Sequence, residues 1–302
     1  MDRSSAPGIV APLPAARDVL ELLKPITWFP PIWAFMCGVV SSGVPITERW
    51  PFLIAGVLLT GPLVCGTSQA VNDWFDRHVD SINQPDRPIP SGRIAGHWGL
   101  WIAIAGTVLS LIVAWATGPL VFGATGLGLL CAWGYSAPPF RFKVSGLWGP
   151  AVVALTYEGL TWFTGAAVMA GAWPGTSVLI VLALYSLGAH GIMTLNDFKA
   201  VEGDRAMGLR SLPVVLGVDR AARVACIVMA LPQVAVILLL VHWDHRLIGG
   251  VVGLMLVGQL MLMRRLLRDP LGNTPWYNAT GTTLYVLGML ASAFGLGGVA
   301  GL

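Results

Sequence analysis

The sequence predicts an all-α membrane protein that crosses the bilayer several times. Hydrophobic residues make up 55% of the 302 residues and charged residues only 11%, whereas a soluble globular domain carries roughly 25% charged residues. Nine mainly apolar windows follow one another along the chain, and each is close to the length of about 20 residues that a membrane-spanning helix needs. The sequence does not alternate with period two, which argues against a membrane β-barrel. These observations exclude a soluble enzyme and a disordered chain.

The nine windows give the expected transmembrane helices in order. They lie at residues 28–46, 52–71, 98–117, 119–135, 148–170, 176–195, 222–242, 247–266 and 281–301. Many contain Gly, which lets neighbouring helices approach each other closely in a membrane. We expect one integral-membrane domain over residues 1–302, in which residues 1–27 form a cytoplasmic N-terminal segment. That segment lacks the apolar core of a signal peptide, so none is expected.

The basic residues predict how the chain is oriented. All but two of the 18 Lys and Arg residues fall in the N-terminal segment or in the loops after windows 2, 4, 6 and 8, and the exceptions are Arg49 and Arg246. Because loops rich in Lys and Arg stay in the cytoplasm, we expect a cytoplasmic N-terminus and a periplasmic C-terminus. The net charge of +3 is too small to argue for nucleic acid as a partner.

The acidic residues concentrate in two blocks on the same side of the membrane. The first block is residues 72–80 (NDWFDRHVD) and the second is residues 196–204 (NDFKAVEGD). Offsets of three and four residues return to one face of a helix, so the carboxylates of the first block repel one another unless a cation lies among them; they are Asp73, Asp76 and Asp80. Hard oxygen ligands favour Mg²⁺ over Zn²⁺.

The second block repeats the first with one acid lost. Asn72 corresponds to Asn196 and Asp80 to Asp204, but Asp76 falls against Ala200. Glu202 can join the second cluster only where the helix ends or bends before it. An internal repeat that brings polar clusters to one face of the membrane is a known way of building a site.

Basic residues are interleaved with the acids, and together they suit a Mg²⁺-bound diphosphate. Arg gives bidentate contacts to phosphate and Lys a point charge, although membrane topology alone would also place bases in these loops. The candidate diphosphate-binding residues are Asn72, Arg87, Arg141, Lys143, Lys199, Arg205 and Asn196.

The two blocks resemble the signature of the UbiA superfamily of intramembrane prenyltransferases, and nearly the whole chain is covered by this resemblance. The family carries an Asn-Asp-x-x-Asp-x-x-x-Asp block after the second of nine helices and another acidic block after the sixth. Four further segments are similar to the (bacterio)chlorophyll synthase branch: residues 87–93 (RPIPSGR), 135–143 (YSAPPFRFK), 201–205 (VEGDR) and 211–213 (SLP). Residues 61–66 (GPLVCG) are most similar to the enzymes of purple phototrophic bacteria.

This resemblance implies nine transmembrane helices around a central cavity that opens toward the cytoplasm. It implies transfer of a geranylgeranyl or phytyl group from its diphosphate to the propionate of bacteriochlorophyllide a, with Mg²⁺ as cofactor. The implied membrane is the bacterial cytoplasmic or intracytoplasmic photosynthetic membrane, where lipid and pigment-pathway or light-harvesting assembly proteins are candidate partners. The implied metal ligands are Asp73, Asp76, Asp80, Asp197, Glu202 and Asp204.

Several aromatic and intramembrane polar residues are candidates for the substrate cavity. Aromatic faces stabilise an allylic carbocation, and an acid in mid-span is usually functional, although each of these residues could instead serve in packing. The candidates are Tyr135, Tyr157, Glu158, His190, Trp74 and Phe75.

Two alternatives to this function stay open. The acceptor could be plant-type chlorophyllide, haem or a quinone precursor. A secondary transporter with Glu158 at a midplane ion site is a remote alternative, because nearly all of the polar residues lie at the cytoplasmic ends of the windows.

Overall fold

The structure is a computed structural model that describes residues 12–298. Within this range the chain forms helices and turns, and the β-type pairing is an isolated parallel bridge between Ser145 and Arg210. The first part of the expected cytoplasmic segment, residues 1–11, and the end of the ninth window, residues 299–302, lie outside the described residues.

The helices are numbered here in chain order. They are α1 (Ala16–Leu23), α2 (Phe29–Ser41), α3 (Ile46–Asn83), α4 (Trp98–Thr117), α5 (Pro119–Ser136), α6 (Trp148–Ala170), α7 (Thr176–Ala206), α8 (Leu212–Leu216), α9 (Val218–His242), α10 (Arg246–Leu266) and α11 (Pro270–Leu296). Short 3₁₀ helices cover Pro25–Trp28 and Phe142–Val144.

Among the described residues, seven helices are long and apolar enough to cross a membrane: α3, α4, α6, α7, α9, α10 and α11. The first window is occupied by a shorter apolar helix, Pro25–Ser41, and the fourth by α5. Every predicted window therefore contains a helix, which confirms the all-α, multi-pass membrane fold. The count of nine crossings stays a prediction.

Two helices extend beyond their windows, and these extensions carry the acidic blocks. Helix α3 continues to Asn83, so that the first block forms its last turns. It stops there because Pro85 disfavours helical geometry in the residue before it, and Gln84 is non-helical with φ −144° and ψ 61°. Helix α7 tightens into a 3₁₀ turn over Asp197–Ala200 and then resumes.

The centre of the molecule is held by close approach of α2 to α6. A Cβ atom at Gly38 would lie 2.1 Å from the carbonyl oxygen of Trp162, and one at Gly165 would lie 2.1 Å from that of Phe35. These two backbones therefore touch only because both positions lack a side chain. Around this contact α2 also packs on α11, α7 packs on α9, and α3, α4 and α5 pack together.

Helices α3 and α6 each contain a π-helical turn. In α3 it covers Leu59–Cys65, and in α6 it covers Leu155–Leu160. Such turns interrupt the regular helical ladder and are frequent at functional sites. Residues from both of them line the cavity described next.

Candidate active site

A cavity of about 600 Å³ lies between α2, α3, α5, α6 and α7. Its charged lining residues gather where α3 and α7 end, and we call this the acidic end. Together with the neighbouring polar side chains, the residues there are Asn72, Asp76, Lys143, Asn196, Asp197, Lys199, Asp204 and Ser211. The structure thus brings members of both acidic blocks to one cavity. The volume is within the range of about 300–1,000 Å³ that is usual for small-molecule sites.

Asp76 is the acid of the first block that faces the cavity. Asn72, one turn earlier on α3, donates through Nδ2 to Asp76 Oδ2 at 3.0 Å and to Ser136 Oγ at 3.1 Å. Lys143, from the loop after α5, donates through Nζ to Asp76 Oδ1. This carboxylate is therefore fixed by an amide and a cation from two different elements.

Asp73 and Asp80 do not border the cavity, contrary to the expectation of three acids around one cation. Lys24 Nζ lies 2.6 Å from Asp73 Oδ1, and Arg87 Nη1 lies 3.3 Å from that oxygen and 2.7 Å from Asp80 Oδ2. The reason is geometric: at about 100° per residue, Asp76 is rotated about 60° from Asp73. Asp73 and Asp80 therefore face α1 and the loop after α3.

The cations around Asp73 offset the cost of burying it. Its side chain is 1% exposed, and its second oxygen, Oδ2, has no hydrogen-bond partner. Lys24 reaches it from the end of α1, where its backbone is left-handed with φ 47°. In residues 12–298, no three Asp, Glu, His or Cys side chains form a ready-made metal cluster.

A second set of ion pairs ties α1 to the loop after α3. Arg93 Nη1 lies 2.6 Å from Asp18 Oδ1 and 2.6 Å from Glu21 Oε2, and its Nη2 donates to Glu21 Oε1 at 2.7 Å. These hydrogen bonds and the guanidinium charge lower the pKa of Glu21 below its usual value. The short α1 is thus fastened at both ends beside the first block.

The second block reaches the cavity with both of its aspartates. Asp197 and Asp204 line the cavity together, because residues seven apart return to nearly the same helix face and the 3₁₀ turn over Asp197–Ala200 keeps the chain helical between them. Among the described residues, no Lys or Arg nitrogen lies within 4.0 Å of either carboxylate. Glu202 is exposed and lies outside the cavity lining. Of the two acids that could replace the one missing at Ala200, Asp197 lines the cavity and Glu202 does not.

The predicted basic residues separate into three groups. Lys143 and Lys199 line the cavity. Arg87 is engaged with Asp73 and Asp80 instead. Arg141 and Arg205 are exposed and do not border the cavity in the part of the chain that the structure describes.

Of the predicted aromatic residues, two tyrosines line the cavity. Tyr157 OH accepts a hydrogen bond from Gln69 Nε2 at 3.2 Å, and Tyr135 lies nearer the acidic end on α5. Trp74 and Phe75 lie outside the lining. The Trp74 ring has the Arg77 guanidinium 4.1 Å above it, and the Phe75 ring centre is 6.2 Å from that of Trp133.

The two intramembrane polar candidates, Glu158 and His190, also lie outside the cavity lining. Glu158 is 4% exposed within the π-helical turn of α6. His190 Nε2 is 3.1 Å from the carbonyl oxygen of Leu147, and its Nδ1 is 3.4 Å from Thr194 Oγ1. Both ring nitrogens of His190 therefore contact the protein itself, as expected of a packing histidine.

Sequence reasoning missed several lining residues. On α3 they precede Asn72 at helical spacing and are Gln69, Ser68 and Cys65. A search for polar side chains three and four residues before Asn72, repeated once more toward the N-terminus, would have found them. Ser211 is different, because its hydroxyl oxygen is buried, lines the cavity and has no hydrogen-bond partner. No periodic pattern marks that position.

The UbiA prenyltransferase family model matches residues 27–284. This chain belongs to the UbiA prenyltransferase family. It is 60% identical to the bacteriochlorophyll synthase 33 kDa chain of Cereibacter sphaeroides, over 95% of both chains. It is 34% identical to the chloroplastic chlorophyll synthase of Oryza sativa subsp. japonica, over 91% of this chain and 75% of that one.

Solved UbiA structures share the fold. The UbiA homolog from Archaeoglobus fulgidus bound to DMAPP and Mg²⁺ superposes with a TM-score of 0.73 and 21% identity, over 94% of this chain and 100% of that one. The family membership expected from the acidic blocks is thus confirmed. The protein is a multi-pass membrane prenyltransferase, and the secondary-transporter alternative is set aside.

Proposed function

We propose that this UbiA enzyme transfers a geranylgeranyl or phytyl group from its diphosphate to the propionate of bacteriochlorophyllide a. The observation that carries this proposal is the 60% identity, over 95% of both chains, to a protein named bacteriochlorophyll synthase. The relatives named chlorophyll synthase are more distant, at 33–34% identity. The cavity supports the same function, because one end is charged and the rest is mainly apolar or hydroxyl-lined.

The donor set at the acidic end fits Mg²⁺. Carboxylate and amide oxygens are the hard ligands that this ion prefers, and no Lys or Arg nitrogen of the described chain lies within 4.0 Å of the Asp197 or Asp204 carboxylate. We propose that Asp76, Asp197 and Asp204 hold the metal together with the substrate diphosphate. Bound there, Mg²⁺ would neutralise charge on the diphosphate as a Lewis acid.

The chain's own residues then account for the rest of the reaction. Lys143 and Lys199 are placed to stabilise the charge that builds on the diphosphate as the allylic C–O bond breaks. The rings of Tyr135 and Tyr157 offer π faces to the allylic carbocation, and the apolar walls of the cavity limit the access of water to it. The propionate of the pigment is already an anion near neutral pH. It attacks the carbocation directly, and no general base is needed.

The charge pattern supports a location for this chemistry. The loops rich in Lys and Arg lie at the acidic end, and the positive-inside rule places such loops in the cytoplasm. We therefore propose that the cavity opens toward the cytoplasm from a bacterial cytoplasmic or intracytoplasmic photosynthetic membrane. Residues 1–302 then form a single domain, and pigment-pathway or light-harvesting assembly proteins stay predicted partners.

The deciding experiment is an acceptor assay on the purified full-length protein. With geranylgeranyl diphosphate, Mg²⁺ and bacteriochlorophyllide a we expect the geranylgeranyl ester, identified by mass spectrometry, and no ester from the Asp76→Asn variant. Chlorophyllide a, haem and 4-hydroxybenzoate serve as competing acceptors. Reaction of one of these in place of bacteriochlorophyllide a would show that the proposed acceptor is wrong.

A further inference from the structure

The cavity is long in the direction of the helix axes and charged at one end only. Along α3 its lining runs from Asp76 back to Thr60, which at 1.5 Å per residue is about 24 Å. All of the charged lining residues lie at the acidic end. A substrate with an anionic head and a long apolar tail therefore fits with its head at that end and its tail toward Thr60.

Gly128 lies on the wall of the deep, apolar part of this cavity. It is buried on α5, eight residues before Ser136, and so lies about 12 Å deeper than the end of that helix. A Cβ atom at this position would be 3.9 Å from both Leu160 Cδ1 and Val64 Cγ1. That is ordinary van der Waals contact, so a methyl group fits there, and any longer side chain must project into the cavity.

We propose that Gly128 determines the length of the isoprenoid tail that the cavity accepts. This inference rests on the proposed function and names the feature of the site that selects the tail. The missing side chain leaves the space between Val64 and Leu160 open to the last isoprene units of the substrate. A larger residue at position 128 closes that space from the side, while the acidic end stays unchanged.

Replacing Gly128 by Ala is not expected to destabilise the helix, so a change in substrate preference reports on the cavity. Gly is the poorest helix former after Pro, so Ala in its place stabilises a helix interior. The chain also offers a matched control on the same helix. Gly126 does not border the cavity, and a Cβ atom there would meet nothing within 4 Å.

The experiment compares Gly128→Ala, Gly128→Leu and the control Gly126→Leu with geranyl, farnesyl and geranylgeranyl diphosphate. The measurement is kcat/KM for each diphosphate at a saturating concentration of bacteriochlorophyllide a. A pocket that is shorter by a few methylene groups changes the ratio of kcat/KM between long and short substrates by roughly tenfold or more. We expect Gly128→Leu to lower the geranylgeranyl-to-geranyl ratio by at least about tenfold, Gly128→Ala to lower it less, and Gly126→Leu to match the wild type.

Two outcomes would overturn this inference. If Gly128→Leu lowered kcat/KM equally for all three diphosphates, the residue would serve packing alone. If it left the geranylgeranyl-to-geranyl ratio unchanged but raised the KM for the pigment in a separate titration of bacteriochlorophyllide a, the deep space would belong to the acceptor. Failure of the proposed function gives a different result, since the wild type would then form no ester with any of the three diphosphates.

Discussion

In the first acidic block each carboxylate has a cation of the protein beside it, whereas in the second block neither Asp197 nor Asp204 has one within 4.0 Å among the described residues. All five of these acids are at least partly buried, and a buried charge is costly unless it is compensated. The first block therefore has most of its charge balanced by the fold. The second block leaves charge to be balanced by what binds in the cavity.

The difference follows from where the chain places its bases. Lys24, Arg87 and Lys143 approach the straight end of α3 from three separate segments. On α7 Asp197 and Asp204 both line the cavity, and Lys199, which also lines it, has no nitrogen within 4.0 Å of either carboxylate. Two blocks with matching residues are thus used differently. The first pairs with cations of the surrounding segments as well as facing the cavity, and the second presents carboxylates to the cavity with no such cation within 4.0 Å among the described residues.

The largest expected effect is a loss of activity when a negative charge of the second block is removed. Asp204→Asn should reduce ester formation by at least about 100-fold, because it removes a negative ligand from a metal site, and added Mg²⁺ should restore part of it. Rates over a Mg²⁺ titration, before and after chelation by EDTA, measure this. Glu202→Gln is the control, since that side chain is exposed and two residues away. Equal loss in both variants would contradict the assignment of Asp204.

The sequence predicts that the two acidic blocks form the candidate site. It does not predict which of their acids line the cavity and which pair with cations of the protein. The spacing of Asp73, Asp76 and Asp80 shows one helix face only to within about 60°, and this angle separates a cavity ligand from an anchored acid. Lys24 contacts Asp73 across 49 residues, a pairing that no local pattern encodes. Conversely, the nine apolar windows did predict the helices, because the length of an apolar run is a local property.

The next effect concerns the anchored side of the first block. Lys24→Met should lower the thermal stability of the detergent-solubilised protein by about 1–3 kcal/mol, because it leaves Asp73 buried with a weaker partner. The Lys24→Met/Asp73→Asn double variant should recover most of that loss, since no buried charge remains uncompensated. Midpoints of thermal unfolding for the four members of this cycle give the coupling. Strictly additive losses of stability would show that the Lys24–Asp73 ion pair contributes no measurable coupling energy.

A smaller effect is expected at Ser211, whose buried hydroxyl lines the cavity beside the second block without a partner. If it donates to the diphosphate, Ser211→Ala should raise the KM for the prenyl diphosphate by about three- to tenfold, the value of one hydrogen bond, with kcat nearly unchanged. Ser211→Thr should keep the low KM. Ser110→Ala is the matched control, because that buried serine is satisfied by the Gly106 carbonyl oxygen at 2.7 Å. An unchanged KM in Ser211→Ala would show that the hydroxyl has no such role.

The smallest expected effect is the pH dependence of the Arg93–Glu21 ion pair, which joins α1 to the loop after α3. Arg93 lowers the pKa of Glu21, so this contact stabilises the folded state above the unfolded pKa of about 4.3 and is lost as the pH falls through the lower folded value. The gain is small because Glu21 is half exposed. Glu21→Gln should therefore unfold at a slightly lower temperature than the wild type at pH 7, and the two should converge below about pH 4. A difference that persisted at low pH would mean that Glu21 acts through packing and not through its charge.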